Sequence, residues 1–385
     1  MTAPDTNTAL PEAATEIPDV EHSSQWKLMW WAFRRHRVAV IGGVIVLTLY
    51  FVAAFAEFLA PFAPQSTSSQ NVYHPPQMPR LFYDTTYDGS GFGLHVRAFS
   101  RERDPFTLQT TYVPDPDRVI FISFFAKGTP YRLWGLIPME RRLFTASNPG
   151  DRFYLFGADR LGRDMYSRVI FGTRVSMTIG LVGVALALIL GVTLGGISGY
   201  LGGVTDAVIQ RFVELVLALP TIPIWLGLSA ALPQDWSPLT RYFAITAILS
   251  LVGWTELARV VRGRFLALRN EDFVIAARLD GATRRRVILR HMAPSMASHI
   301  IASVTLAIPL MIIAETSLSF LGLGLQPPMV SWGVLLREAQ NVQSISQAPW
   351  LFIPGAAVVL GVLSLNFLGD GIRDAADPYS EVQTS

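Results

Sequence analysis

The sequence predicts an all-α integral membrane protein of six transmembrane helices, with a long extracytoplasmic insert between the first helix and the second. Three observations predict it. Of 385 residues, 51% are hydrophobic and 16% charged, with a mean hydropathy of +0.37; soluble domains carry about a quarter charged residues. The apolar residues gather into runs near the ~20 that a helix needs to cross the hydrocarbon core. The basic residues, finally, are unevenly shared among the short loops, which is what fixes orientation.

Taken in order, residues 1–25 are polar or small and interrupted by Pro4, Pro11 and Pro18. With no apolar run of their own they are expected to form a disordered cytoplasmic tail rather than a signal peptide. Residues 26–60 hold a basic flank (Lys27, Arg34, Arg35, Arg37) and a first span at 38–60. Residues 61–164, rich in Pro, aromatic and β-branched residues, are expected outside as a small strand-containing module, with an α/β make-up left open. A core at 165–372 supplies spans near 175–197, 207–232, 242–261, 300–321 and 350–368, and a cytoplasmic loop at 262–295. Residues 373–385 form a C-terminal tail. The stretch 259–292 holds nine arginines against Glu271, Asp272 and Asp280, whereas the loops at 233–240 and 322–349 carry only Arg241 at an edge and Arg337. Both signals place the two termini in the cytoplasm. Arg160, Arg163, Arg168 and Arg174 pull the other way.

Several chemistries are excluded. There is no cysteine, hence no disulfide, thiolate ligand or cysteine nucleophile. The two lysines, Lys27 and Lys127, are not followed by Ser or Thr, so no phosphate-binding P-loop exists. The six histidines lack metal-ligand spacing, no Ser-His-Asp set can be assembled, and a basic loop without interleaved aromatics is a poor nucleic-acid site.

The candidate residues fall into three groups. In the inner loop, Ala276, Ala277 and Arg278 favour helix, Asp280-Gly281 supplies a left-handed stop, Thr283 can cap a second helix, and Pro294 limits it. Two short helices across the membrane face are expected. Their small residues would admit another protein as readily as the arginines would rest on anionic lipid. Gly191, Gly195 and Gly199 recur every fourth residue, a helix-packing seam in lipid. Pro220, Pro223 and Pro309 free mid-membrane carbonyls and are expected to shape a pathway. Ionisable residues at spans are functional candidates by default. Glu57 is expected to reach the interface, Arg211 to pair with Glu214 and Glu256 with Arg259, and Glu315 to bond the neighbouring hydroxyls or to gate.

Ala276-Ala277 followed by Gly281 and Pro294 resembles the EAA loop of ABC importer permeases, with Ile275 where the acidic residue would stand. FGADRLGRDMYSR at 156–168, GYLGG at 199–203, ETSLSFLGLGLQPP at 315–328, SWG at 331–333 and NFLGDGIRD at 366–374 resemble the C-type subunit of dipeptide/oligopeptide permeases. The resemblance implies a bacterial inner-membrane subunit that transports peptides or similar solutes by alternating access. It also implies a second homologous permease, two ATPase subunits docked at 272–294 and an extracytoplasmic substrate-binding protein, besides membrane lipid. No cofactor would be bound by this chain, with ATP and Mg held by the ATPase subunits. An ion-gradient-driven secondary transporter is the alternative, but no inverted repeat or coupling-ion cluster supports it; an intramembrane enzyme has no catalytic set here.

Overall fold

The structure, a computed structural model, describes residues 25–85, 89–103, 105–106, 110–233 and 235–376. The expected tail at 1–25 lies almost wholly outside the described residues, as do residues 377–385. A basic helix α1 (Gln25–Arg35) leads into α2 (Arg37–Ala54), whose start is capped by His36, Nδ1 accepting the Ala39 N–H at 3.1 Å. A single turn, α3 (Ala56–Leu59), closes the first span.

The insert corrects the all-α expectation and the open α/β make-up. Among the described residues of 61–164 there is no helix. Strands β1 (Arg80–Thr85), β2 (Gly89–Arg103), β3 (Thr110–Phe124) and β6 (Phe144–Ala146) make an antiparallel sheet in the order β1-β2-β3-β6. Strands β4 (Lys127–Leu133) and β5 (Ile137–Arg141) form a separate hairpin. Alternation is the cause: Ile120 and Ile122 turn inward with Val96, Ala98 and Phe153 to form a small core, while intervening residues face out.

Helix α4 (Met165–Leu201) follows at once, and its 37 residues extend ~55 Å, well beyond a bilayer core. Its start touches the insert, where Ser167 Oγ accepts the Phe62 N–H; its end lies far away, beside the arginine-rich segment. Span three is broken. Pro220 lacks an N–H and forces Leu219 into extended backbone, so α5 (Gly203–Ala218) and α6 (Thr221–Ala230) meet at 86°. Pro223 falls in the first turn of α6, where its missing N–H costs nothing. Because α5 starts at the arginine-rich end and α7 (Pro238–Leu268) starts at the sheet-bearing end, the bent pair carries the chain across. α7 runs to Leu268, so residues 262–268 of the expected loop are helix.

The elbow between spans comprises α8 (Asp272–Leu279), α9 (Arg284–Arg286), a π-helical turn (Val287–Met292) and α10 (Ala293–Ser295). Next come α11 (Ala297–Phe320), then the short α12 (Trp332–Leu336) and α13 (Val342–Gln347), and α14 (Ile353–Ala376). α14 extends through residues 373–376, so the start of the expected tail is helical. Among the described residues five helices are long and apolar enough to span a membrane, and counting the bent pair as one span makes six. The main core packs α4, α7 and α11 through Ile179, Val184, Ile245, Leu249, Met311 and Leu318.

Candidate functional site

The elbow is built as local signals dictate. α8 ends in a Schellman motif: the Ala282 N–H reaches Ala277 O at 3.0 Å and the Gly281 N–H reaches Arg278 O at 3.1 Å. Gly281 holds φ +77°, a conformation that costs other residues about 1–2 kcal/mol. Thr283 Oγ1 then caps the next turn by accepting the Arg286 N–H. The stop expected at Pro294 is displaced. Pro294 sits in the first turn of α10, where no N–H is needed, and the break comes at Met296 with φ −110° and ψ 14°.

Val274, Ala277, Val287, Met292 and Met296 seat the elbow against Val261 and Phe265 of α7, with Val192 and Tyr200 of α4 alongside. The elbow is thus packed on α7 and α4, with Ile300 of α11 beside it. The opposite face is open. Leu279 is 83% exposed, Ile275 43% and Phe273 40%; Ala276, Arg278, Asp280, Arg284, Arg285 and Arg290 are exposed beside them.

The three seam glycines lie along α7. A Cβ on Gly195 would stand 2.4 Å from Ala258 O, one on Gly199 2.6 Å from Arg262 O, and one on Gly191 2.9 Å from Leu257. Any larger residue would pry the helices apart. A bidentate pair that the sequence reading missed locks this region: Arg262 Nε and Nη2 donate to the Asp206 carboxylate at 2.5 and 2.6 Å, and Ser198 Oγ donates to the same group.

The expected pathway residues divide into two sets. Pro220 and Pro223 are exposed on the bent pair, next to exposed Val208, Phe212, Leu215 and Ile222. Pro309 and Glu315 are buried, and α11 continues through Pro309. Glu315 Oε1 accepts the hydroxyls of Ser319 and Ser331, each at 2.7 Å, and Oε2 accepts that of Ser176 at 3.4 Å. Ser331 also caps α12. The carboxylate is thus a hub joining α4, α11 and α12.

At the sheet-bearing end, the outward arginines have partners. Arg163 Nε donates to Asp159 at 2.6 Å and Arg163 Nη2 to Glu338 at 3.0 Å, while Arg168 Nη1 bonds both carboxylates. Glu57, expected at the interface, is held instead by Arg174 Nη1 at 2.6 Å, and Arg174 Nε reaches Ala53 O. Arg211 and Glu214 pair at 3.3 Å on the surface; Glu256 and Arg259 make no ion pair. Among the described residues no His, Asp and Glu cluster could hold a metal.

Known proteins share much of this sequence. The model of the binding-protein-dependent transport system inner membrane component family matches residues 191–380. That of the N-terminal transmembrane domain of oligopeptide transport permease C matches residues 24–76. The oligopeptide transport system permease protein OppC of Bacillus subtilis is 35% identical over 237 residues, 61% of this chain and 75% of that one. The OppC protein of Haemophilus influenzae is 37% identical over 61% and 74%. The dipeptide transport system permease protein DppC of Bacillus subtilis is 35% identical over 62% and 73%. A solved chain from the inward-facing MetNI methionine ABC transporter aligns with 55% of this chain at 16% identity and a TM-score of 0.43, too loose to argue from. From the family match and these relatives, the chain belongs to the binding-protein-dependent transport system inner membrane component family, the permease subunits of ABC importers, and is a transporter subunit rather than an enzyme.

Proposed function

We propose that this chain forms one half of a translocation pathway for peptides or similar solutes, gripped at residues 272–294 by separate ATPase subunits. The observation that carries the proposal is the elbow's two-faced build. One face is seated on α4 and α7, and the other offers Ile275, Leu279 and small Ala276 to a partner. With Ile275 in place of an acidic residue, the grip is apolar at its centre, and Arg278, Arg284 and Arg285 supply a basic rim. A second, homologous permease would cover the exposed side of the bent pair around Pro220 and Pro223. An extracytoplasmic binding protein would deliver solute at the sheet-bearing end. Both termini and the elbow then lie in the cytoplasm of a bacterial cell; the nine-arginine stretch and the nearness of His36 to Asp374 (4.0 Å) support this. ATP and Mg stay with the ATPase subunits. The permeases alternate access as those subunits close. The peptide class rests on the names of the OppC and DppC relatives.

The test is a pair of variants. A Cβ at Gly281 would meet nothing of this chain within 4 Å. Gly281→Ala and Gly281→Trp therefore suffer the same backbone strain, and only the second adds bulk toward a partner. The expected result is near-normal uptake with Gly281→Ala, and loss of uptake with Gly281→Trp while the chain still inserts. Full uptake by Gly281→Trp with normal ATPase binding refutes the docking assignment.

A further inference from the structure

The β4–β5 hairpin ends in Trp134, Gly135 and Leu136, and its position against the first span is fixed by several bonds. Trp134 Nε1 donates to the carbonyl of Ala54, the last residue of α2, at 2.6 Å. That carbonyl is one of the acceptors left open at a helix end, and Arg174 Nη2 donates to it as well, at 3.2 Å. The indole lies 6.0 Å from the Phe55 ring, which in turn lies 4.8 Å from Phe51. Behind the tip, buried Arg142 donates to Ala60 O at 2.5 Å and Glu57 O at 3.1 Å, and to Thr129 Oγ1 at 3.1 Å. The Leu143 N–H bonds Phe58 O at 2.9 Å. Trp134 itself holds φ +53°, a costly conformation for a bulky residue. The hairpin is thus fastened to the end of the span rather than draped near it.

Its tip and the residues leading into it are apolar on the free side, while Lys127, Arg132, Glu140 and Arg141 of the two strands are exposed as well. Leu136 is 78% exposed, Phe124 60%, Phe125 55%, Trp134 52% and Ile137 48%. Along α2, Val38, Ile41, Val44, Leu47 and Phe51 form an equally exposed stripe at helical spacing. The 18 residues of α2 rise ~27 Å, about the thickness of the hydrocarbon core, so Ala54 and the indole bonded to it stand at its boundary. Through Phe51, Phe55 and Trp134 the stripe of the span continues onto the hairpin without a break. Tryptophan favours that depth, because its ring is apolar and its N–H needs an acceptor.

We infer that the β4–β5 hairpin is an interfacial membrane anchor: Trp134, Leu136 and Ile137 enter the headgroup and upper acyl region of the bilayer and hold the extramembrane module at a fixed height over the first span. The occupant of this surface is lipid, because the surface continues a lipid-facing helix and is tied to its last carbonyl. The inference rests on reading α2 as a membrane span, and the experiment separates the two.

The chain has no cysteine, so single cysteines can be introduced without a cleared background. Leu136→Cys, Phe51→Cys and Glu102→Cys, in the full chain and its native assembly, are labelled with an environment-sensitive fluorophore. They are reconstituted in bilayers containing lipids with a quencher at a shallow or a deep acyl position. The expected result is strong quenching of the Leu136 label by the shallow lipid, quenching of the Phe51 label, and none of the exposed Glu102 label. An unquenched Leu136 label beside a quenched Phe51 label overturns the anchor alone; blue-shifted but unquenched emission would assign the surface to a protein partner instead. If Phe51 is also unquenched, the span itself is misread.

Discussion

Both ends of the helix bundle are fastened by Arg–carboxylate pairs, but in different surroundings. At the sheet-bearing end Asp159 is 0% exposed and Arg168 1%; with Arg163 they form a buried cluster around the Glu338 carboxylate, which keeps 14% exposure where the exposed Arg160 approaches it at 4.0 Å. At the elbow end the Arg262 and Asp206 side chains keep 30% and 16% exposure, and the elbow's own arginines are open. Burial makes a pair costly to break, whereas solvent makes it exchangeable. The sheet-bearing end therefore acts as a fixed frame joining the 156–168 segment to the 3₁₀ turn Arg337–Gln340 that continues α12. At the elbow end, parting of Arg262 from Asp206 would leave both charges within reach of water.

The largest effect should follow from breaking the frame. Arg168→Leu leaves buried Asp159 with Arg163, and Glu338 with Arg163 and the exposed Arg160, and should destabilise the chain by about 3–5 kcal/mol, read as unfolding of the purified protein in detergent. Burial already pushes the Glu338 carboxyl above its usual range. Without Arg168 it should take a proton more readily still, so the variant should recover part of its stability as pH falls below neutral. A loss under about 1 kcal/mol with no such recovery would mean that the cluster is wet and the contrast with the elbow is wrong.

A smaller effect concerns the module on that frame. His74 is buried among the rings of Phe99, Tyr112 and Tyr154, and burial pushes its imidazole down to about 4. The unfolded chain binds that proton near pH 6.5 and the folded chain does not, so stability present above pH 6.5 is lost as pH falls to 4. Asp164, pushed up to about 6 by burial, works in the opposite direction over the same range. Comparison with His74→Phe isolates the histidine: between pH 6.5 and 4 the unaltered chain should lose about 3 kcal/mol relative to the variant. Parallel pH profiles would show that the ring is reached by water.

What the sequence made legible was whatever neighbours decide. The Gly281 stop, the Thr283 cap and the break at Pro220 each follow from a residue and its own few hydrogen bonds. The glycine seam was visible as spacing, but not its partner, since nothing in Gly195 names Ala258. The sheet was only half visible. Strand content could be read at 119–125, but pairing of Ile122 with Ala146 depends on residues far apart in the chain. The outward arginines looked like an exception to the charge rule for the same reason: Glu338 lies 175 residues beyond Arg163 and Glu57 117 before Arg174. Even the broken span was underestimated. Prolines predict a kink, but an 86° turn needs tertiary support for both short helices.

The smallest effect tests the other half of the comparison. Asp206→Asn keeps an acceptor oxygen for Arg262 and Ser198 and removes only the charge. Since the pair is partly solvated, the cost should be about 0.5–1 kcal/mol and should shrink further in high salt, where exposed pairs are screened. Hydrogen exchange at the start of α5 should quicken while that of α4 near Arg168 stays unchanged, because the loss is confined to the tie between Gly203–Ala218 and the end of α7. A loss as large as that of Arg168→Leu, insensitive to salt, would place this pair in a desolvated setting. The elbow end would then be as rigid a frame as the other, and motion between them would have to come from the bend at Pro220.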